Sequence, residues 1–436
     1  MRQVLYITPY FPPQSQVGAL RPLKFVRHLP RLGWLPVVLT DLWPGAAVDP
    51  ALRDAVPPEV PVLHTYSHRA APALRELQAH GPRPKRAPTG RDRLQARVQQ
   101  LLPQWLNNPE LIPLGEHGID IPHALKSARH ALEDHPGCEA ILVNADPFAA
   151  CLVGALLKHE TGLPLVLDLR DPWAPCRLRR PRRPAPMRWL EDKLERWCVE
   201  TADHVILNTR HTLDDYRAHY ADLPPEHFSF LRNHFDARLS GSGHHPGFDR
   251  FTLLHLGRFT RFRTADGVLQ MLAELQRRGI GPQDLQLAVT GDPGEAAWKA
   301  ARALGVEDYL RVEGHVSYRK VGAVMAAADV LLMLAEPGAV QRIASKYYDY
   351  LGSERPVLAI TDNPEAVEIM EQSGAGRALG YGDVAALADA VQAEMALGRQ
   401  RTVARRPIGV TSREATEQLV AILESVVRAP AAGGTA

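Results

Sequence analysis

Short apolar runs alternate with amphipathic stretches along most of this chain, and their order predicts strands separated by helices. "VLYIT" (4–8) precedes a Pro/Gly loop. "LRPLKFVRHLPRLG" (20–33) follows with apolar positions at helical spacing, and then comes "PVVLT" (36–40). The pattern resumes at "EAILVN" (139–144), "PFAACLVGALLKHETG" (147–162), "PLVLDL" (164–169) and "ADHVILN" (202–208). A second series opens at "FTLLHLG" (251–257). It continues through helices near 265–279, 295–304, 318–328 and 346–351, interleaved with "LQLAVTG" (285–291), "YLRVEG" (309–314), "VLLML" (330–334) and "PVLAI" (356–360). Strands that are apolar throughout, without alternation, belong to parallel sheets covered on both faces.

The expected fold class is therefore α/β, with two Rossmann-like doubly wound domains. Residues 1–240 form the first, interrupted by a Pro/Arg-rich insertion at about 67–120 with one helical stretch at roughly 92–106. Residues 248–408 form the second. Gly/Ser-rich "SGSGHHPG" (240–247) links them. Residues 409–427 predict a C-terminal helix packing back toward the first domain, and 428–436 a disordered tail.

A length of 436 residues exceeds one ordinary core. Apolar residues make up 45% and charged residues 23%, a globular profile, and a net charge of +2 speaks against a general nucleic-acid binder. The cysteines, Cys138, Cys151, Cys176 and Cys198, form no C-x-x-C pair and read as reduced, which points to the cytoplasm. The apolar N-terminal run is short and broken by Pro9, Pro12 and Pro13, unlike a signal peptide. The most apolar long stretch, 323–340, carries Asp329, Glu336 and a proline, so a helix and a buried strand are expected there and not a membrane span.

Four places carry candidate chemistry. Gly18, between the first strand and first helix, would let a diphosphate approach backbone N–H groups; the plainer alternative is a tight turn. Asp168, Arg170 and Asp171 end an apolar strand, the edge where open α/β sheets bind ligands; the alternative is a pair that orders the loop. Arg258, Arg261 and Arg263 crowd the loop after the first strand of the second series and suit a diphosphate; the alternative is a solvated basic loop. Ser345, Lys346 and Asp349 open a short helix. Lys346 suits phosphate and Asp349, on the same face, suits a ribose diol; the alternative is an i,i+3 salt bridge. There is no G-x-G-x-x-G, which disfavours a nicotinamide cofactor, and neither a D-x-D nor metal-ligand histidine spacing, so no metal is expected. "CRLRRPRRPAPMRWLEDKLERW" (176–197) joins arginines to Trp189 and Trp197. It reads either as a contact to an anionic membrane or as a mobile loop followed by an ordinary amphipathic helix.

Taken together, "YFPP…G…R" near the N-terminus, "ADPFAACLVGALLKHETGLPLVLDLRDPWA", "RNHFDARL" (232–239), "VEGHVSYRKVGAVMAAADVLLML" (312–334) and "SKYYDYL" resemble the GT-B glycosyltransferases of family 4 (glycosyltransferase group 1). More narrowly, they resemble bacterial members with a DLRDPW segment. The resemblance covers nearly the whole chain. It implies two domains facing across a cleft, a nucleotide-diphosphate sugar as donor, a hydroxyl acceptor, retention at the anomeric carbon and independence from metal. On this reading Gly18, Arg258, Arg263 and Lys346 bind the diphosphate, and Asp349, Gln341 and Ser345 bind ribose and sugar. Backbone at His315 and Val316 contacts the base, and Arg170, Asp171 and Asp168 are the catalytic candidates. The acceptor, a polysaccharide, glycolipid or metabolite, stays open, as does a lipid-linked form met at the inner membrane face. Four positions depart from the family pattern. Gln341 stands where a glutamate is common, Asp349 stands for a second glutamate, Asp266 stands for a lysine whose role passes to Arg261 or Arg263, and Arg170 stands where many members place a histidine, a variation shared with the DLRDPW subgroup. The rivals are a sugar-nucleotide epimerase or hydrolase of the same fold and a non-catalytic nucleotide-sugar-binding protein.

Overall fold

The computed structural model describes residues 1–41, 47–65, 121–236, 244–260, 263–406 and 408–428. The expected insertion at 67–120, Arg261, the first half of the Gly/Ser linker and the tail after Arg428 lie outside the described residues.

Two compact units emerge, Met1–Arg232 with Arg413–Ala436, and Asn233–Ser412. The first holds a parallel sheet of β1 (Arg2–Ile7), β2 (Trp34–Thr40), β3 (Val62–His64), β4 (Cys138–Ala145), β5 (Leu165–Leu169), β6 (His204–Leu207) and β7 (Phe228–Phe230), in the order β3-β2-β1-β4-β5-β6-β7. The second holds β8 (Phe251–Leu256), β9 (Leu285–Thr290), β10 (Leu310–Val312), β11 (Val330–Leu334), β12 (Val357–Ile360) and β13 (Gly376–Leu379), in the order β10-β9-β8-β11-β12-β13, again parallel. This is the two-domain Rossmann-like α/β architecture that the apolar runs predict.

Strands β5, β8, β9 and β11 are buried from end to end, so side chains on both faces leave water. The helix Ala149–Thr161 is apolar on nearly every side and is buried through its first turns. The helix Asp266–Arg277 buries only one stripe, Val268, Leu269, Met271, Leu272 and Leu275, and is therefore amphipathic. All four cysteines are buried and free.

The units part at Arg232–Asn233, ahead of the Gly/Ser stretch. The reason is Phe235. Its N–H donates to the Val410 carbonyl, its carbonyl accepts from Ser412 N–H, and its ring packs where a Cβ on Gly352 would stand 2.3 Å away. That segment is already committed to the second unit. The C-terminal helix Ser412–Arg428 falls, from Arg413 onward, in the first unit.

Candidate functional site

In the first unit the strand order reverses between β1 and β4, and open α/β sheets bind ligands beyond the carboxyl ends of their strands at such a point. The segments following β1, β4 and β5 meet there. The Arg170 guanidinium lies over the Tyr10 ring at 5.9 Å and donates to the Asp146 carbonyl. Asn208 Nδ2 donates to the Arg170 carbonyl at 3.1 Å. A Cβ on Gly18 would stand 2.6 Å from Tyr10 Cδ2 and 2.8 Å from Arg170 Nη1. Gly18 is thus needed for the close approach of a charged side chain, where the sequence suggested an approaching diphosphate. Arg170 Nε is buried without a hydrogen-bond partner, which leaves a donor unsatisfied in a half-buried guanidinium.

Asp168 points elsewhere. It is buried inside the sheet and accepts from Arg21 Nε at 2.9 Å, Arg21 Nη2 at 2.8 Å and Asn144 Nδ2 at 2.7 Å. Arg21 also donates to the Leu231 and Arg232 carbonyls at 2.9 and 3.0 Å. A carboxylate so engaged holds β5, β4 and the helix Leu20–His28 together. The structure gives Asp168 a holding role and sets it apart from Arg170. Asp171 is half-buried; with Cys176 and Asp146 it more than offsets the cost of burying the Arg179 charge. Arg179 lies over the Phe148 ring at 5.2 Å and donates to the Pro172 carbonyl.

The loop 170–176 is also fastened from behind. Glu195, on the helix Ala185–Thr201, is fully buried. It accepts from the Tyr216 hydroxyl, from the Tyr220 hydroxyl at 3.0 Å and from Ala174 N–H at 3.1 Å. Trp173 N–H donates to the Tyr216 oxygen at 3.0 Å, and the Trp173 ring stacks on Phe148 at 4.8 Å. Burial pushes the Glu195 carboxyl up to about 7, against the pull of those three donors.

In the second unit the reversal falls between β8 and β11. Their ladder registers only Leu253 with Val330 and Leu254 with Leu331. Beyond it side chains take over from the ladder. The buried His255 ring donates from Nδ1 to the Leu332 carbonyl at 3.1 Å. Leu256 N–H donates to the Tyr350 hydroxyl at 2.9 Å, and the Leu256 carbonyl accepts from Lys346 Nζ. Lys346 and Tyr350 are one turn apart on the helix Ser345–Leu351, so one helix face satisfies both peptide groups of one residue.

Two glycines follow the strand ends with positive φ, Gly257 at 112° and Gly291 at 121°. A Cβ on Gly257 would stand 3.1 Å from Lys346 Nζ, and one on Gly291 3.1 Å from Arg258 Cγ. Lys346, Arg258 and the strand ends are therefore neighbours. Arg263 is close as well. Burial and then the Arg263 charge push the Lys346 ammonium down to about 7. Burial, followed by Lys346, likewise holds the His255 imidazole well below its usual range. Lys346, Arg258 and Arg263 thus gather cationic charge at the carboxyl end of β8. Arg258 is exposed, and Lys346 and Arg263 are half-buried.

Asp349 is buried and accepts from the Tyr318 hydroxyl at 3.1 Å, which ties it to the segment 313–317 containing exposed His315 and half-buried Val316. Gln341 is buried in the loop 335–344, and Ser345 is half-buried at the start of the helix. That loop is organised by a residue the sequence reading missed. Asn363 Nδ2 donates to the carbonyls of Ala339, Val340 and Arg342 at 3.0–3.2 Å, while its Oδ1 accepts from Glu365 and Ala366 N–H. The signal was present as "DNPEA", an Asn-Pro helix start. Arg21, Tyr10, Asn144 and Tyr350 were given no role, although Tyr10 and Arg21 fall within "YFPP…G…R" and Tyr350 within "SKYYDYL". Among the described residues no three His, Cys, Asp or Glu side chains gather as a metal site requires.

Residues 250–396 match the family described as glycosyl transferases group 1, so the cationic cluster and the Asp349 region fall inside the matched segment. No curated protein matches the chain. Solved structures are similar over nearly its whole length. The chain resembles sucrose-phosphate synthase from Thermosynechococcus elongatus, with 13% identity, a TM-score of 0.61, and coverage of 98% of this chain and 96% of that one. It resembles Alr3699/HepE of Anabaena, solved with UDP and glucose, with 15% identity, a TM-score of 0.58, and coverage of 98% and 100%. It also resembles a putative UDP-N-acetylglucosamine 2-epimerase from Listeria monocytogenes, with 12% identity, a TM-score of 0.57, and coverage of 97% and 96%. At these identities the likeness is one of fold, the GT-B type of two Rossmann-like domains.

Proposed function

We propose that this protein transfers a sugar from a nucleotide-diphosphate sugar to a hydroxyl acceptor, as a hexosyltransferase. The observation that carries the reading is the cluster of Lys346, Arg258 and Arg263 around Gly257 and Gly291, inside the segment matched to group 1 glycosyl transferases. Cations held at a sheet edge before the reaction stabilise the charge that grows on a departing diphosphate, and they do so without reorganising. The second unit takes the donor. Lys346, Arg258 and Arg263 bind the diphosphate, and Asp349 takes the ribose once Tyr318 yields its hydrogen bond. Gln341 and Ser345 face the sugar, and backbone at His315 and Val316 faces the base. The first unit takes the acceptor, with Arg170 and Asp171 near the hydroxyl, Gly18 leaving room for Arg170, and Asp168 bracing the strand that precedes it.

The reaction retains the anomeric configuration and uses no metal, with the leaving phosphate accepting the acceptor's proton. A UDP-sugar is the first donor to try, given the UDP and glucose bound by the Anabaena relative. The protein works in the cytoplasm as a family 4 enzyme of polysaccharide, glycolipid or metabolite synthesis. It meets the inner membrane face through the helix Ala185–Thr201, which exposes Trp189, Leu190 and Trp197.

Calorimetry with UDP, GDP and ADP tests the donor assignment, and NMR of donor turnover with and without acceptors tests the reaction. Lys346→Ala and Arg263→Ala are expected to weaken nucleotide binding at least about tenfold each, the size of a lost charge-assisted bond. Unchanged binding in both variants sinks the assignment. Isomerised or hydrolysed sugar without an acceptor would favour the epimerase or hydrolase reading, to which the likeness to epimerase structures points.

A further inference from the structure

We propose that a cavity at the carboxyl ends of β1 and β2 receives an alkyl or aryl group of the acceptor, adjoining the hydroxyl that is glycosylated; the acceptor's part in this rests on the transfer reading above. The cavity measures about 60 Å³, whereas one water needs roughly 10–15 Å³. Its wall is almost wholly apolar, with Ile7, Leu39, Ala124, Ala150 and Val153 among the residues that line it. Thr8, Thr40, Asp41 and Thr65 also line it, but almost none of their polar surface faces the cavity. Thr8 Oγ1 already donates to the Tyr10 carbonyl at 3.0 Å, and Thr40 Oγ1 turns to the Asp41 carbonyl. Water needs two to four polar partners and would find few here, while an apolar group needs none.

Its position links it to the candidate chemistry. Pro9 and Pro147 also line the cavity. Each is the chain neighbour of a residue that holds Arg170, namely Tyr10, which lies beneath its guanidinium, and Asp146, whose carbonyl accepts from it. An apolar group seated in the cavity therefore brings the atoms attached to it toward Arg170. A fully hydrophilic acceptor, such as the end of a free polysaccharide, gains nothing from such a wall. The acceptor class that fits is a hydroxyl compound with a hydrocarbon or aromatic portion close to the reacting oxygen.

The test uses the full chain and straight-chain 1-alkanols from ethanol to octanol, with glycerol as the polar counterpart, and binding followed by ligand-observed NMR. Affinity is expected to rise about fourfold with each methylene and to level off once the cavity is full, while glycerol stays unbound. Ala124→Phe, which fills the cavity from the helix Ile121–Asp134, is expected to abolish alkanol binding and to leave UDP binding intact. A diazirine-bearing alkanol should label the unaltered protein within 147–153 or 7–9, which keeps the test decisive if the variant does not fold. No gain along the series, glycerol binding as tightly as hexanol, or labelling confined to other peptides overturns the proposal. Alkanol binding with no sugar transfer to any hydroxyl supports the cavity and sinks the transfer reading. Transfer to hydrophilic acceptors with no alkanol binding does the reverse.

Discussion

Lys346 sits where few lysines do, half-buried, its ammonium on a peptide carbonyl and a second cation nearby. With its pKa pushed down to about 7, it is charged in acid and largely neutral above neutrality. A diphosphate binds the charged form. UDP affinity is therefore expected to fall as pH rises above about 7, approaching tenfold per unit. Lys346→Arg keeps its charge throughout and should flatten that dependence in calorimetric titrations between pH 6.5 and 8.5. A parent protein whose affinity is level over that range would refute the role.

Asp168 is the residue on which sequence and structure differ most. A strand-end carboxylate between two charged neighbours reads as catalytic, yet its oxygens face inward to Arg21 and Asn144. Nothing in "DLRDPW" tells which charged residue turns into the sheet, because the partner, Arg21, lies 147 positions away. Asp168→Asn leaves the Arg21 cation buried with a neutral partner. It is expected to cost about 3–5 kcal/mol of stability, readable as a lowered urea midpoint. A variant as stable as the parent but inactive would restore the catalytic reading.

At the scale of elements, the long apolar runs were legible because strands buried on both faces need no alternation. β3, β7 and β13 were not. They are three or four residues each and mostly half-buried or exposed, so they carry too little apolar signal to stand out. The cationic cluster was legible in part. Arginines after a first strand announced a basic loop, but the splaying of β8 from β11, which creates its setting, is a matter of pairing register and leaves no local mark. The helix Ala185–Thr201 shows the two-sided case. Glu191, Glu195, Cys198 and Val199 face inward, while Trp189, at 63% exposure, and Trp197, at 38%, share the outer face with exposed Lys193. Such a face binds anionic bilayers by burying aromatic area and by charge. Co-sedimentation with phosphatidylglycerol vesicles is expected at low salt. It should fall with added salt and be lost in Trp189→Ser with Trp197→Ser. A parent protein that stays in the supernatant at low salt ends that idea.

Across the whole molecule, both sheets reverse their strand order beside their first strand, and each reversal carries one of the two candidate clusters. That repetition was legible, since two series of apolar runs imply two such points. The buried acid behind the first was not, because a glutamate inside an Arg-rich amphipathic stretch looks like a surface residue. Glu195 has a native pKa near 7, above the usual unfolded value of about 4.3. Folded molecules therefore hold the extra proton. The stability this lends is complete below the unfolded value and is lost as pH rises through about 7. Glu195→Gln lacks that loss. The difference in unfolding free energy between variant and parent should shift toward the variant by up to about 1.4 kcal/mol per pH unit within the window. His204, held down to about 4 by burial, pulls the other way in both proteins and cancels from the difference. Urea melts at pH 5 and pH 7.5 measure it, and a gap independent of pH would mean that the carboxyl titrates normally.

The carbonyl of Leu256 takes one of the three N–H donors of the Lys346 ammonium and leaves the others for whatever reaches the end of β8. That bond fixes where the charge sits before any visitor arrives. With Arg263 nearby, an acceptor that bears negative charge gains more there than a neutral one. Charge comes ahead of shape in what such a corner can hold.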